Sequence, residues 1–294
     1  MTALPKTLDA FDLVRRLQRE PAEHKGNAGK AVLIGGTPGM AGALILAGKA
    51  CLHLGAGWTI LEMLDPASAF ANQEQPELMI RQANESAADV LNETQPDVIA
   101  IGPGLGHSDL AVQWLKACLA YPQIPLVLDA DALNLIANST ELLAALQHRN
   151  QLFPDQSILT PHPGEAAKLL KVSSTQIQEN RLHSIDQLVL LTQSIVILKG
   201  QHTLVAGCQH ATVQCIAGNP GMATGGMGDV LTGSIAAIAA QGVRHHLTLW
   251  DAGCIGVQLH ASAADSLVQK GIGPIGLTPS ETILEMRSLL NKLL

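Results

Sequence analysis

Aromatic side chains are nearly absent, at 2% of 294 residues: three Trp, three Phe and one Tyr. The core must therefore be built from Ala, Leu, Ile and Val, small residues that suit close packing of helices on a sheet. Charge is scarce as well. Asp, Glu, Lys and Arg make up 15% of the chain, against the usual quarter. Lys and Arg nowhere cluster, and 18 basic against 25 acidic residues leave a net charge of -7. A chain without a basic patch lacks the footprint by which proteins grip nucleic acid or an anionic membrane surface, so neither is an expected partner. A small anionic ligand stays open to it, because backbone amides bind anions without net positive charge.

Other absences narrow the class further. The five cysteines, at 51, 118, 208, 215 and 254, are odd in number and match no zinc or redox spacing. They read as reduced, mostly buried thiols of a cytosolic protein. The opening "MTALPKTLDAFDLVRRLQRE" has no apolar h-region and is not expected to be a signal peptide. No uncharged apolar run reaches the roughly 18 residues of a membrane span. A cytoplasmic location follows as the expectation.

What is present is alternation. Short apolar runs ended by Gly or Pro, such as "AVLIGG" (31–36), "WTILEML" (58–64) and "DVIAIGPG" (97–104), read as strands. Ala- and Leu-rich stretches with helical spacing follow them at 40–57 and 110–120. "PLVLDADALNLIA" (125–137) and "SILTPHPGEAAKLL" (157–170) each run from strand into helix, and "SIVILKG" (194–200) is another strand. The strands are continuously apolar, as expected when helices cover both sheet faces. After 200 an antiparallel pair with a turn at 207–210 precedes three helices, near 226–241, 247–267 and 278–293. Segments 72–97 and 171–193 give no clear pattern. The expected architecture is one α/β domain spanning 1–294, a mostly parallel central sheet with helices on both faces. Right-handed crossovers would bring the carboxyl ends of the strands to one edge, where ligands of such sheets bind.

The chemistry-bearing residues fall at those ends: Gly35-Gly36-Thr37, Gly102-Pro103-Gly104, Asp129 with Asp131 and Asn134, the 160–165 segment "TPHPGE", and Lys199-Gly200. Singly, each could be an ordinary turn. Together with "GNPGMATGGMGDVLTG" (218–233), six glycines in sixteen positions around a single acid, they point to one site. Gly225, Gly226, Met227 and Gly228 precede an apolar helix whose positive end would hold a phosphate. Asp229 beside that phosphate reads either as a base taking a proton from an attacking hydroxyl, or as a helix cap. Lys199 reads as a nucleotide-phosphate partner, with Gly200 and Thr203 shaping the pocket, or as a charged strand end before a hairpin. The prolines around His162 hold it in a set direction. Glu165 is either a favourable charge in a first helical turn or a water-mediated Mg²⁺ contact. Of Asp129 and Asp131, one would aid the cation and one would cap the helix.

The ordered set "HKGNAGKAVLIGG", "MAGAL", "IGPGLG", "LDADALN", "LTPHPGE", "LKG" and the glycine loop resembles the ADP-dependent NAD(P)H-hydrate dehydratase family, in the ribokinase-like superfamily. The likeness runs from about residue 24 to the end. It implies a ribokinase-like fold and repair of hydrated nicotinamide cofactors. A nucleotide phosphorylates the ring hydroxyl, phosphate elimination restores NADH or NADPH, and ADP as donor leaves AMP and phosphate. Many bacterial versions carry an N-terminal epimerase, for which this chain has no room, so it resembles the stand-alone form with a separate epimerase as functional partner.

Residue by residue, the resemblance makes Asp229 the base and gives Gly226, Met227 and Gly228 as amide donors to the phosphoryl group. Lys199, Gly200, Gln201, His202, Thr203 and Gly228 would line the ADP (or ATP) site. Ala43, Gly104, His162 and Asp229 would contact the hydrated dinucleotide, and Glu165 and Asn134 would support Mg²⁺. The family often has Ser or Thr where this loop has Met227, which removes a hydroxyl and keeps the amide. A homo-oligomer, with a tetramer among its forms, fits the Ala-rich surface expected of the domain. The competing readings are a kinase of a small vitamin-precursor or sugar alcohol on the same fold, and a nucleotide-binding sensor without turnover.

Overall fold

The computed structural model describes residues 5–70 and 75–294. Its strands are β1 (Lys6–Thr7), β2 (Lys30–Gly35), β3 (Trp58–Met63), β4 (Met79–Gln82), β5 (Val98–Ile101), β6 (Leu126–Leu128), β7 (Ser157–Leu159), β8 (Ile195–Leu198), β9 (Leu204–Gly207) and β10 (His210–Gln214). All ten share one sheet, in the order β1-β10-β9-β8-β7-β6-β5-β2-β3-β4. From β2 to β8 every pairing is parallel. β9 runs against both β8 and β10, so its carboxyl end lies at the opposite edge from the others and corrects the expectation that all strand ends meet. The hairpin needs that reversal, because a two-residue link cannot return a chain to a parallel strand.

Alternation within strands sorts the core into two layers. Ala31 and Leu33 of β2 pack on one face and Val32 and Ile34 on the other. The first face carries the helices Ala41–His53, Met227–His245 and Leu249–Gln269. The second carries Asp109–Ala120, Ala130–Asn138, Pro163–Leu170 and Arg181–Thr192. With Phe, Tyr and Trp so rare, close approach replaces bulk. A Cβ on Gly233 would stand 1.9 Å from the Ala47 carbonyl oxygen, so the helices Met227–His245 and Ala41–His53 touch backbone to backbone.

The unassigned segments also take form. Residues 72–74 lie outside the described residues. The rest of 72–97 supplies the edge strand β4 and the helix Ala87–Thr94. Segment 171–193 forms two helices, Ser174–Glu179 and Arg181–Thr192. β4 is exposed along most of its length, which is why it shows no apolar run.

Candidate active site

The loops after β2, β5 and β6 interlock at the carboxyl edge of the sheet. Gly36 donates to the Pro103 carbonyl at 3.0 Å, and Thr37 to the Gly104 carbonyl at 2.7 Å. Gly102 sits at φ +137, where a Cβ would lie 1.8 Å from the Asp129 carbonyl oxygen, so only glycine passes there. Asp131 Oδ2 accepts from the Gly106 amide at 2.9 Å. Ala43 flanks the same strip, because a Cβ on Gly104 would stand 3.3 Å from its own Cβ. The structure thus brings Ala43 and Gly104 side by side.

Asp129 and Asp131 do not divide their work as expected. Asp129 occupies the N-cap position of Ala130–Asn138 without capping it, and Asp131 ties down the β5 loop instead. Asp129 Oδ1 accepts from Lys199 Nζ at 2.8 Å, and Oδ2 from the Thr232 hydroxyl at 2.7 Å. The next residue, Ala130, adopts φ +46. That left-handed conformation costs a non-glycine residue about 1–2 kcal/mol and marks a constrained strand end.

Burial pushes the Asp129 carboxyl up, but the Lys199 ammonium and the Thr160 and Thr232 hydroxyls outweigh it and hold it below its ordinary value. Burial likewise pulls Lys199 down, and the carboxylates of Asp129, Glu165 and Asp229 more than reverse this. The ammonium therefore sits inside a carboxylate cage, 4.0 Å from Glu165 as well. A Cβ on Gly228 would come within 3.2 Å of Lys199 Nζ, so the ion pair lies directly beneath the first turn of Met227–His245.

That turn removes the capping reading of Asp229. The N-cap is Gly226, at φ +97, and no side chain caps the helix. Asp229 is in the first turn and is not its cap. Burial raises its carboxyl, Asp129, Asp131 and Glu165 add like-charge repulsion, and only Lys199 opposes them; the result is about 7. The first amides of a helix have no carbonyl one turn earlier, which leaves Gly228 and Asp229 able to donate outward. The Met227 amide donates to the Thr224 carbonyl at 3.3 Å, and its side chain turns inward against Ala264, Leu267 and Leu277.

His162 caps Pro163–Leu170. Its Nδ1 accepts from the amides of Gly164 (2.9 Å) and Glu165 (3.4 Å), while Glu165 Oε2 accepts from the His162 amide at 2.7 Å. His162 Nε2 lies 3.2 Å from Glu165 Oε1, with the ring about half exposed. Gly200, Gln201, His202 and Thr203 form the turn between β8 and β9, with Gln201 and His202 exposed. Thr203 donates to the Gly200 carbonyl at 3.1 Å, and Arg181 fixes the turn's base through the carbonyls of Leu198 and Lys199.

For a cation, the donor set is decisive. Among the described residues no group of three or more His, Cys, Asp or Glu side chains is placed to hold a metal ion, and the acids around Lys199 already enclose its ammonium. Asn134 Oδ1 already accepts from Lys168 Nζ at 2.7 Å. Glu165 is 5% exposed, with Oε2 held by the His162 amide, so a hydrated Mg²⁺, which needs few protein ligands beside nucleotide phosphates, would meet it only through water.

Three participants escape a reading of the sequence. Thr232 and Asp129 are 103 positions apart. Asp265, an acid in an Ala-rich helix, accepts from the Gly218 amide at 2.8 Å and from Asn219 Nδ2 at 2.9 Å, anchoring the start of the glycine loop. His260 is buried with Nε2 unpartnered; burial and then Lys199 push it down to about 4, so it is neutral.

The NAD(P)H-hydrate dehydratase family model matches residues 31–285. A bifunctional NAD(P)H-hydrate repair enzyme from Coxiella burnetii is 39% identical over 99% of this chain, which spans 56% of that relative. The chain thus covers about half the length of such bifunctional relatives. An ADP-dependent (S)-NAD(P)H-hydrate dehydratase from Neisseria meningitidis is 36% identical over 94% of this chain and 89% of its own length. An ADP/ATP-dependent NAD(P)H-hydrate dehydratase from Bacillus subtilis, crystallised with ATP and Mg²⁺, superposes with a TM-score of 0.83 at 26% identity, covering 99% of this chain and 100% of that one.

Proposed function

This chain belongs to the NAD(P)H-hydrate dehydratase family, and we propose that it dehydrates the (6S) hydrates of NADH and NADPH, with ADP or ATP as phosphoryl donor. The observation that carries the reading is Asp229: an uncapping carboxylate in the first turn of a helix, raised to about 7 by burial and neighbouring acids. A base with that affinity for protons is half ready at neutral pH and accepts one when a hydroxyl attacks. The substrate oxygen forms a bond to the terminal phosphoryl group of the nucleotide while the bond to the leaving nucleotide breaks, giving AMP from ADP. The hydroxyl proton goes to Asp229. Phosphate then departs with the ring C–O bond, and loss of the adjacent ring proton restores the double bond.

The helix N-terminus offers the amides of Gly228 and Asp229, with that of Gly226 in the wider loop, to the transferring group; the Met227 amide, expected as a donor, is engaged by the Thr224 carbonyl. We place the nucleotide along Lys199, Gly200, Gln201, His202, Thr203 and Gly228, and the hydrated dinucleotide against Ala43, Gly104 and His162. Lys199 then acts chiefly by neutralising Asp129 beneath the phosphates, with only a partial effect on Asp229. Mg²⁺, held through water by Glu165 with Asn134 and its Lys168 partner behind, would screen the phosphate charge when bound. The single ten-stranded sheet supports one catalytic unit across 1–294. No helix among the described residues is long and apolar enough to cross a membrane. A cytoplasmic homo-oligomer, served by an epimerase that interconverts the hydrate stereoisomers, completes the reading.

The test is recovery of NADH absorbance from prepared NADH hydrate, with ADP, with ATP and with neither. Recovery that needs a nucleotide, and that falls by about a hundredfold or more in Asp229→Asn, is the expected result. A folded protein that binds ADP and restores nothing would assign the site to a small-alcohol kinase or a sensor.

A further inference from the structure

Glu62 is the one charged residue in the strand Trp58–Met63, and it is 1% exposed. Its Oε1 is buried and has no hydrogen-bond partner. A buried carboxyl oxygen left unpaired is uncommon in a native protein and calls for an explanation. Its neighbour across the β3–β4 pairing is Arg81, whose Nη1 lies 3.8 Å from that oxygen, beyond hydrogen-bond reach. Both residues line a cavity of about 340 Å³ between the end of the sheet and the helix Ala87–Thr94, with Trp58 and Asn84 among its walls.

The other cations of this region are already engaged. Lys30 Nζ donates to the Thr94 carbonyl, and the Lys25 ammonium lies over the Trp58 ring at 4.1 Å. Arg81 spends one N–H on the Thr94 hydroxyl at 3.3 Å. Its remaining donors are not spent on a hydrogen bond, and Arg81 and Glu62 stand side by side in the cavity wall, with Glu62 Oε1 unpartnered just behind it. The site is also separate from Asp229: Ile60, beside Glu62, packs in the layer opposite Val230 and Ile235 of the Met227–His245 helix.

We infer that this cavity binds a small zwitterion, an α-amino acid, with its ammonium on Glu62 and its carboxylate on Arg81. The two protein charges are 3.8 Å apart, so a ligand must carry both signs at similarly short spacing, which the α-carbon of an amino acid supplies. A simple anion would meet the Glu62 carboxylate, and a simple amine would meet the guanidinium. The cavity's acids are two, Glu62 and Glu93, fewer than the several oxygens a divalent metal needs, and the Arg81 guanidinium stands beside one of them. The cavity volume lies at the small end of ligand sites.

The experiment uses the full chain without nucleotide. L-Alanine, L-serine and L-glutamate are titrated against intrinsic Trp fluorescence, to which Trp58 contributes, and checked by saturation-transfer NMR. Acetate and ethylamine serve as half-ligands. The expected result is zwitterion binding near 1 mM, about tenfold or more weaker for either half-ligand and in Glu62→Gln and Arg81→Gln. Asp229→Asn should bind the zwitterion as the parent does. Arg81 is half exposed, so its variant stays informative if the Glu62 variant fails to fold. No zwitterion binding at about 20 mM, equal binding of acetate, or undiminished binding in Arg81→Gln would each overturn the inference.

Discussion

Lys199→Met removes the one cation inside the carboxylate cage. Asp129 would keep the Thr232 hydroxyl at 2.7 Å but lose its 2.8 Å ammonium partner, at a residue 1% exposed. Removing one member of a buried pair costs about 3–5 kcal/mol, because the other charge stays buried and unpaired. The Lys199 side chain is 19% exposed, and Thr232 remains, so the lower end applies, about 3 kcal/mol. For a chain of this size that is a fall in Tm of about 5 °C. The pH dependence has a definite sign. Asp129 is held below its ordinary 3.8, so its contribution is present above that pH and is lost as pH falls through the folded value. Lys199 is held above its ordinary 10.5, so its contribution is present below that pH and is lost as pH rises through the folded value. The pair is therefore fully effective between those two values. In the variant only the Thr160 and Thr232 hydroxyls oppose burial at Asp129, so its carboxyl rises, and the deficit should shrink as the buffer moves from neutral toward pH 5 and the acid protonates. Urea unfolding at several pH values measures this, with Asp129→Asn and the double variant closing a cycle. A variant within 1 kcal/mol of the parent at neutral pH, or a double variant whose loss equals the sum of the singles, would refute the caged-pair account.

Three further outcomes are expected. The kcat/KM for hydrate recovery should rise through an acid limb near the Asp229 value of about 7, be fully present above it, and lose that limb in Asp229→Asn; a flat profile down to pH 5 would count against the base. Gly233→Ala places a Cβ 1.9 Å from the Ala47 carbonyl oxygen and must push the helices Met227–His245 and Ala41–His53 apart, so thermal unfolding should show a loss of about 2–3 kcal/mol; a stability unchanged from the parent would contradict the close packing. Asp265→Ala strips the acceptors from the Gly218 amide and Asn219, at about 2 kcal/mol of stability. Because it loosens the glycine loop, kcat/KM should also fall, with Asp265→Asn restoring some of each loss; full activity in the Ala variant would show that the anchor is dispensable.

Much of this was legible in the residues, for a physical reason. Strands buried on both faces are mostly apolar, and β5, β8 and, past Lys30, β2 stand out for it, with β3 interrupted by Thr59 and Glu62. The glycine loop and the loop after β5 were legible because a backbone that must approach closely discards side chains: a Cβ would meet backbone at Gly102, apolar side chains at Gly226 and the Lys199 ammonium at Gly228. Less visible was anything set by through-space partners. The sequence leaves Lys199 either at a nucleotide phosphate or at an idle strand end; its ammonium is bound to an acid 70 positions earlier. The pair Asp129 and Asp131 suggested a cap, yet the chain turns at Ala130 and sends one acid to Lys199 and the other to the Gly106 amide.

That hidden wiring bears on the chemistry. A carboxylate beside phosphate would be held strongly acidic if the nearest group were a free lysine, and would then be a poor base. Here Lys199 is paired with Asp129, so its charge is largely spent before it reaches Asp229, while Asp129 repels Asp229 in turn. One ammonium lowers both acids, but unequally, so they end on opposite sides of the ordinary value: Asp129 stays ionised as a structural counter-charge, and burial with the neighbouring acids lifts Asp229 to where proton transfer at neutral pH is effective. It follows that Asp129→Asn, which frees the lysine and removes the repulsion, should pull Asp229 down. The acid limb of the rate profile would move to lower pH as the maximal rate falls, whereas Lys199→Met would move it higher; if both substitutions moved it the same way, the lysine would not be the element that sets the two acids apart.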